Sequence, residues 1–164
     1  MRLRCLLLVV VVAGLTTPLV ACGTPSGGPP SPSVEPVDGT WVDVVVDGDT
    51  VVLPRTQVEE LVNLFFSVDA DGRTLDFMAY LLEGDITVRA NACPPCRSRG
   101  FALDGDVLVC DACQTTFDAR DGSGVDGACV DYPKAAVQYR MVDGNLIMSL
   151  AALVVAYDET LVAG

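Results

Sequence analysis

The sequence contains no histidine and has few basic and few aromatic residues. Without histidine, catalysis by a histidine-activated nucleophile is excluded, and so is imidazole as a metal ligand. Any metal site must therefore use sulfur, carboxylate or backbone oxygen. Ten lysines and arginines stand against 22 acidic residues, so the net charge is −12 at pH 7. Nucleic acid is thereby excluded as a partner, because binding its phosphates requires positive charge.

The sequence also lacks an apolar run long enough to cross a bilayer. The run from Leu6 to Leu15 is shorter than the ~20 residues of a membrane-spanning helix. It follows Arg2 and Arg4 and leads to Leu19-Val20-Ala21-Cys22, which is typical of a bacterial lipoprotein signal that is cleaved before Cys22. The Cys22 thiol would then carry lipid. The alternative is an ordinary signal peptide in which Cys22 is incidental, and both readings export the protein.

Three segments follow from this pattern. Residues 1–21 are expected to be the signal peptide, and residues 22–38 the lipidated cysteine with a disordered tether rich in Pro, Gly and Ser. Residues 39–164 are expected to be the folded domain. The predicted location is the extracytoplasmic face of the cell membrane, with the lipid bilayer as a partner through Cys22.

The patterning of the remaining chain predicts a mainly β, hairpin-rich single domain. Short apolar or alternating segments flank turns that contain Gly or Asp. The predicted β segments are Trp41–Leu53, Leu64–Val68, Leu75–Leu82, Ile86–Ala90, Phe101–Leu103, Val107–Val109 and Val137–Val142. One helical turn is predicted over Thr56–Leu61 with Thr56 as its N-cap. The apolar stretch Leu146–Tyr157 is expected to form strand and core.

Two Cys-x-x-Cys motifs carry the chemistry of this domain. Cys93 and Cys96 form the first pair, Cys110 and Cys113 form the second, and thirteen residues separate the two pairs. A predicted hairpin with a tight turn at Asp104-Gly105 lies between them and would return the second pair toward the first. Four thiolates in such an arrangement can hold one metal in a ribbon-like site, and tetrahedral sulfur suits zinc and iron alike.

Some details differ from a plain zinc ribbon. Pro95 has no N–H to offer a ligand sulfur, and Arg97 and Gln114 occupy positions where such turns often carry glycine. Cys129 is a fifth thiol, and it can be a cluster ligand, a redox-active thiol or a buried spare residue. The small residues Gly127 and Ala128 would let the chain approach the other thiols closely.

Disulfide bonding is the alternative to a metal site, because the exported compartment is oxidising. Two disulfides with one thiol left over would fit the cysteine count. Paired Cys-x-x-Cys motifs also serve thiol–disulfide exchange. That chemistry usually places one motif at a helix N-terminus after a strand, a setting that neither motif has here.

The cysteine motifs and their neighbours resemble the FtrD-like membrane iron–sulfur domain family. The matching positions are Asn91-Ala92-Cys93, Cys96, Gly100-Phe101, Gly105-Asp106, Val109-Cys110, Cys113, Phe117 and Gly127-Ala128-Cys129. In this family a Cys-x-x-Cys is followed by Gly-aromatic, Gly-Asp, a second Cys-x-x-Cys and Gly-Gly-Cys-Asn-Pro. The present chain departs from the family at two places. It has Ala90-Asn91-Ala92-Cys93 where the family often has Phe-Asp-Ala-Cys, and Val130-Asp131-Tyr132-Pro133 where Asn-Pro is common.

The resemblance implies a membrane-associated iron–sulfur or iron–thiolate protein that passes electrons beside a bacterial iron-uptake system. An iron permease or another transport component would be its partner, and the protein would be a non-enzymatic accessory. The metal site would lie within residues 91–131, with Cys93, Cys96, Cys110 and Cys113 as ligands and Cys129 near or in the site. Two other functions stay open, a structural zinc domain for protein binding and a thiol–disulfide module.

Overall fold

The structure, a computed structural model, describes residues 35–164. The predicted signal peptide, Cys22 and most of the predicted tether lie outside the described residues. Within residues 35–164 the chain forms twelve strands and two helices. They are β1 (Thr40–Trp41), β2 (Val45–Asp47), β3 (Thr50–Pro54), α1 (Arg55–Leu61), β4 (Asn63–Ala70), β5 (Arg73–Leu82), β6 (Asp85–Ala90), β7 (Phe101–Asp104), β8 (Val107–Cys110), β9 (Thr116–Asp118), β10 (Gly124–Asp126), β11 (Arg140–Val142), β12 (Asn145–Ser149) and α2 (Leu150–Thr160).

The strands of the described chain form three sheets of four strands each. The central sheet has the order β1-β4-β5-β6, the cysteine sheet β10-β9-β8-β7, and the terminal sheet β11-β12-β3-β2. Only β1 and β4 pair in parallel, and every other pair is antiparallel. The predicted mainly β, hairpin-rich fold is confirmed.

The central sheet is buried on both faces. Alternate residues of a strand point to opposite faces, and here both sets are apolar. Leu64 and Phe66 pack into a core shared with β3, β12 and α2. Phe65, Met78 and Tyr80 pack into a second core, which contains Cys93, Cys110 and Cys129. Strands β4 and β5 therefore form a wall between two hydrophobic cores, and their near-continuous apolar sequence follows from that position.

The predicted hairpins are confirmed by strand pairing. The turn Asp71-Gly72 joins β4 to β5 with φ values of 53° and 71°, and Asp143-Gly144 joins β11 to β12 with 48° and 77°. Two consecutive left-handed residues match the right-handed twist of the flanking strands, and Asp-Gly is among the sequences that adopt this turn. The local sequence is sufficient to specify these hairpins.

The prediction for the first helix needs one correction. The helix exists, but it begins at Arg55, and Pro54 occupies the N-cap position without a side-chain hydrogen bond. Thr56 is therefore a residue inside the helix and was wrongly predicted as its cap. The reason is that Pro54 is still the last residue of β3, paired with Asn145. The strand passes directly into the helix and leaves no room for a separate cap.

The last apolar stretch contains a helix that the sequence analysis did not predict. Strand β12 ends at Ser149, whose hydroxyl accepts a hydrogen bond from the amide of Ala152 at 3.2 Å and caps α2. Leu153 and Ala156 of this helix are buried against the central sheet. Within residues 35–164, neither helix combines the length and apolar character needed to span a membrane.

Two further findings concern the edges of the cysteine sheet. Strands β9 and β10 were not predicted, and they extend the β7–β8 hairpin to four strands. Val37, within the segment expected to be tether, exchanges two backbone hydrogen bonds with Leu103 of β7, at 2.8 and 2.9 Å.

Candidate metal centre

The two Cys-x-x-Cys segments form turns with the same pattern of backbone hydrogen bonds. In each turn the fourth residue after the first cysteine donates its amide to the carbonyl of that cysteine, at 2.7 Å for Cys93 and 2.9 Å for Cys110. The amide of each first cysteine in turn donates to the carbonyl of the fifth residue, at 3.0 and 2.9 Å. We call these turns the first knuckle (residues 93–98) and the second knuckle (residues 110–115).

Both knuckles contain a left-handed residue that is not glycine. Arg97 has a φ of 61° and Gln114 a φ of 58°, at the positions where the sequence analysis noted the lack of glycine. The left-handed conformation costs an ordinary residue roughly 1–2 kcal/mol. Gln114 offsets part of this cost, since its amide side chain donates to the carbonyls of Cys110 and Asp111 at 3.1 and 3.3 Å.

The β7–β8 hairpin brings the two knuckles together. Phe101, which follows the first knuckle, lies opposite Cys110 at the start of the second. The amide of Asp111 donates to the carbonyl of Gly100 at 3.1 Å and ties the two segments directly. The hairpin therefore returns the second pair of cysteines to the first, as the sequence analysis expected.

Four thiols converge at the meeting point of the knuckles. The sulfur atoms of Cys93, Cys96, Cys110 and Cys113 all lie within 4.8 Å of one another, and the Sγ atoms of Cys96 and Cys110 are 3.6 Å apart. Metal–sulfur bonds of 2.3 Å in a tetrahedron place neighbouring sulfurs about 3.8 Å apart. The four thiols are thus spaced to bind one metal centre together, and the donor set is entirely sulfur, which suits iron and zinc.

The inner and outer cysteines of the knuckles differ in exposure. Cys93 and Cys110 are 0 % exposed, whereas Cys96 and Cys113 are partly exposed. Burial raises the pKa of Cys93 and the pKa of Cys110 above the ordinary value of a thiol. Partial burial also raises the pKa of Cys113, but hydrogen bonds from Thr115 and from neighbouring thiols outweigh it and bring that pKa to about 6. A lowered pKa favours the thiolate form of Cys113, which is the form that binds a cation.

The structure brings Cys129 to the edge of this group. It is 3 % exposed, and its Sγ lies 3.7 Å from the Sγ of Cys113. The four-thiol group whose members all lie within 4.8 Å does not include it. Gly127 makes the approach possible, because a Cβ at this position would lie 2.7 Å from the Thr115 hydroxyl oxygen. The five cysteines of the described chain are all free thiols.

Thr115 is a site residue that the sequence analysis missed. It is buried, and its hydroxyl oxygen lies 3.2 Å from the Sγ of Cys113. The same oxygen accepts a hydrogen bond from the amide of Cys129 at 3.2 Å. One hydroxyl thus links the second knuckle to the fifth cysteine. Its position two residues after Cys113 was the sequence feature that could have indicated a contact with the cysteines.

Comparison with known proteins adds three findings. The family model described as membrane iron-sulfur containing protein FtrD-like matches residues 58–158. A chain from the complex of reduced oxygenase and oxidized ferredoxin in carbazole 1,9a-dioxygenase superposes with a TM-score of 0.52 at 15% identity, over 63% of this chain and 95% of that one. The Sphingomonas yanoikuyae B1 ferredoxin gives a TM-score of 0.44 at 19% identity, over 51% and 81%. At 15% identity, the likeness to the carbazole 1,9a-dioxygenase chain concerns the fold alone. No curated protein matches the sequence.

Proposed function

This chain belongs to the family of FtrD-like membrane iron–sulfur proteins, and we propose that it carries electrons through a metal centre held by Cys93, Cys96, Cys110 and Cys113. Its cofactor is of the iron–sulfur type, as the family and the cluster of four cysteines indicate. Iron bound to thiolates supplies one-electron redox chemistry. The single observation that carries the proposal is the convergence of four thiols from two matched knuckles.

The exposure of the thiols suits electron transfer. The buried Cys93 and Cys110 face the second hydrophobic core, where Phe101 and Phe117 pack edge to face with ring centroids 5.8 Å apart and shield them from water. Cys96 and Cys113 are partly exposed, and they offer a partner a short route to the centre. Exposure and burial around a thiolate centre are among the features that set its reduction potential.

Metal analysis of the full chain, purified without oxygen, tests the proposal. We expect iron, acid-labile sulfide, visible charge-transfer absorption and a reversible one-electron couple in a redox titration. Iron without acid-labile sulfide would identify an iron–thiolate centre and leave the electron-transfer proposal standing. A colourless protein with stoichiometric zinc and no redox couple would overturn it.

Zinc is the second candidate, because the spacing of the four thiols also fits a single zinc ion. All four sulfurs lie within 4.8 Å of one another, which fits a single tetrahedral ion. A zinc domain would be structural and would serve protein binding, because zinc has no accessible redox change. The absorption spectrum alone separates the two candidates.

We propose further that the protein is anchored to the membrane through Cys22 and that its electrons serve a bacterial iron-uptake system. The lipoprotein-like residues 19–22 and the family description as a membrane protein support the anchor, and the family resemblance supports the context. An iron permease or another transport component is the proposed partner. A deletion strain should lose iron uptake and regain it with the wild-type chain, but not with Cys110→Ser. Normal uptake in the deletion strain would contradict this context.

A further inference from the structure

The only lysine of the sequence is buried in the interior. Lys134 is 0 % exposed, although the protein has a net charge of −12 and an acidic surface that would accept a lysine readily. Lysine is almost never fully buried unless it is paired, because taking an ammonium out of water costs several kcal/mol. The position therefore needs a specific partner for its charge.

The ammonium group of Lys134 is held in a fixed place beside the first knuckle. It donates to the carbonyl of Ala92, the residue before Cys93, and to the carbonyl of Tyr132, both at 2.8 Å. It lies 4.3 Å from the centroid of the Phe117 ring and 5.4 Å from that of Phe101. Both rings belong to the second core, together with the buried cysteines.

Carbonyls and rings solvate the ammonium, but they do not neutralise it. Among the residues that the structure describes, no carboxylate forms a salt bridge with Lys134. Arg89 is buried as well, and it donates to the Lys134 carbonyl at 2.6 Å and to the Tyr80 hydroxyl at 2.8 Å. The one buried carboxylate in this part of the chain, Asp76, is paired with Arg99. The interior around the second core therefore carries unbalanced positive charge.

The cluster of four cysteines can supply the negative charge that balances the Lys134 ammonium. Four thiolates carry four negative charges, and a divalent or trivalent metal leaves the assembly negative. Burial lowers the pKa of Lys134, and the charges of Cys93, Cys110, Cys129 and Cys96 act to raise it, so the cation and the sulfurs interact through the protein interior. A negative metal–thiolate centre and a buried ammonium stabilise each other.

We propose that Lys134 is a positioning residue for the metal centre, a built-in cation that stabilises the bound thiolates and raises the reduction potential. The inference rests on the proposed electron-transfer function. Reduction adds a negative charge to the centre, and a nearby fixed cation favours the more negative state. The hydrogen bond to the Ala92 carbonyl also fixes the start of the first knuckle relative to that cation.

Substitution of Lys134 in the full, metal-loaded chain tests this. Lys134→Met keeps the length of the side chain without charge, and Lys134→Gln also keeps one hydrogen-bond donor. We expect both variants to shift the one-electron equilibrium toward the oxidised form at least tenfold, which is about 59 mV to lower potential. Arg140→Met is the matched control, because it removes an exposed cation from β11, and it should shift the equilibrium less than twofold.

The outcomes separate this inference from the proposed function. If wild-type protein shows no redox couple, the proposed function fails. The inference is then tested by the rate at which a chelator removes the metal. This rate should be at least tenfold faster in both variants than in wild type. A potential or a metal-loss rate within twofold of wild type, in folded and loaded Lys134→Met and Lys134→Gln, overturns the inference. A shift in Lys134→Met alone would also overturn it, since it would assign the effect to the hydrogen bond.

A measurement on wild-type protein covers the case in which the variants do not fold. Lysine-specific ¹⁵N labelling gives a single side-chain signal, because Lys134 is the only lysine. We expect a slowly exchanging ammonium signal that moves when the metal centre changes oxidation state, or when metal is added if the centre is redox-inactive. A signal that exchanges rapidly and does not move overturns the inference.

Discussion

At the scale of single residues, the five cysteines of the domain occupy three kinds of environment. Cys93 and Cys110 are fully buried, Cys96 and Cys113 are partly exposed, and Cys129 is buried beside Cys113 but outside the group of four. These differences are not visible in the sequence, where the two Cys-x-x-Cys motifs look equivalent. They predict different consequences for the same Cys→Ser change.

Replacing a buried cysteine of the site should lower the free energy of unfolding more than replacing a partly exposed one. Cys110→Ser and Cys96→Ser each remove one of four proposed ligands, so both should lower the metal content of the purified protein to less than half. Cys110→Ser also places a polar hydroxyl in the buried second core, whereas Cys96 is partly exposed, so it should lower the free energy of unfolding by about 1 kcal/mol more. Urea denaturation with metal analysis checks this. Full metal occupancy in both variants would show that the ligand set is wrong.

Cys129→Ser should leave metal content unchanged and alter the properties of the centre. The Sγ of Cys129 lies 3.7 Å from the Sγ of Cys113, and both residues contact the Thr115 hydroxyl. We therefore expect a changed absorption spectrum or reduction potential in a protein that stays folded. If the spectrum and the metal stoichiometry are unaltered, Cys129 is a buried spare residue and the balance shifts toward structural zinc.

At the scale of elements, the two knuckles repeat one backbone design with different side chains. Arg97 and Gln114 are both left-handed, but only Gln114 makes side-chain hydrogen bonds to its own knuckle. This difference gives an internal control for backbone strain.

Arg97→Gly should stabilise the domain by about 1 kcal/mol, because glycine adopts the left-handed conformation without steric cost. Gln114→Gly should give a smaller gain or none, because it also removes the hydrogen bond to the Cys110 carbonyl. The urea midpoint of the metal-loaded protein measures both. Equal gains at the two positions would show that the Gln114 hydrogen bonds contribute nothing.

The elements also show which parts of the fold the sequence can predict. Hairpins such as β4–β5 were predicted because the turn Asp71-Gly72 and the alternation beside it are local. Helix α2 was missed because apolar residues lie on most of its surface and hide the helical period. Its signal was the cap, Ser149, which hydrogen-bonds within the first turn. Strands β9 and β10 were missed because they have three residues each and depend on pairing with β8.

The candidate metal centre also has features that the sequence predicts and features that it does not. The convergence of the two knuckles was predictable from motif spacing and one tight turn, both of which are properties of adjacent residues. The role of Lys134 was not predictable. It depends on contacts between segments that are far apart in sequence, such as the bond from Lys134 to Ala92, 42 residues away.

At the scale of the whole molecule, charge is distributed unevenly. The net charge is strongly negative, whereas the buried charged residues of the described chain are Lys134, Arg89 and Asp76, a net positive set. An acidic exterior repels anionic lipid, so the proposed attachment to a membrane requires a covalent anchor.

Cys22→Ser should therefore release the protein from the membrane or leave uncleaved precursor, since it removes the proposed site of lipidation. Membrane fractionation and the mass of the mature N-terminal peptide check this. Cys5→Ser is the matched control, because Cys5 lies within the predicted signal peptide and its loss should change neither. Membrane attachment of Cys22→Ser that also resists inhibition of lipoprotein signal peptidase would contradict the anchor.

The wall formed by β4 and β5 has a consequence for how the molecule unfolds. One face of these strands belongs to the core beneath α2, and the other belongs to the core that holds the buried cysteines. Neither half can lose its packing without exposing a face of the same two strands, so the halves are cooperative with each other. Metal bound at one end thus contributes to the free energy of unfolding of the whole domain. Loss of the metal should therefore lower the stability of the C-terminal helix α2 as well as that of the two knuckles.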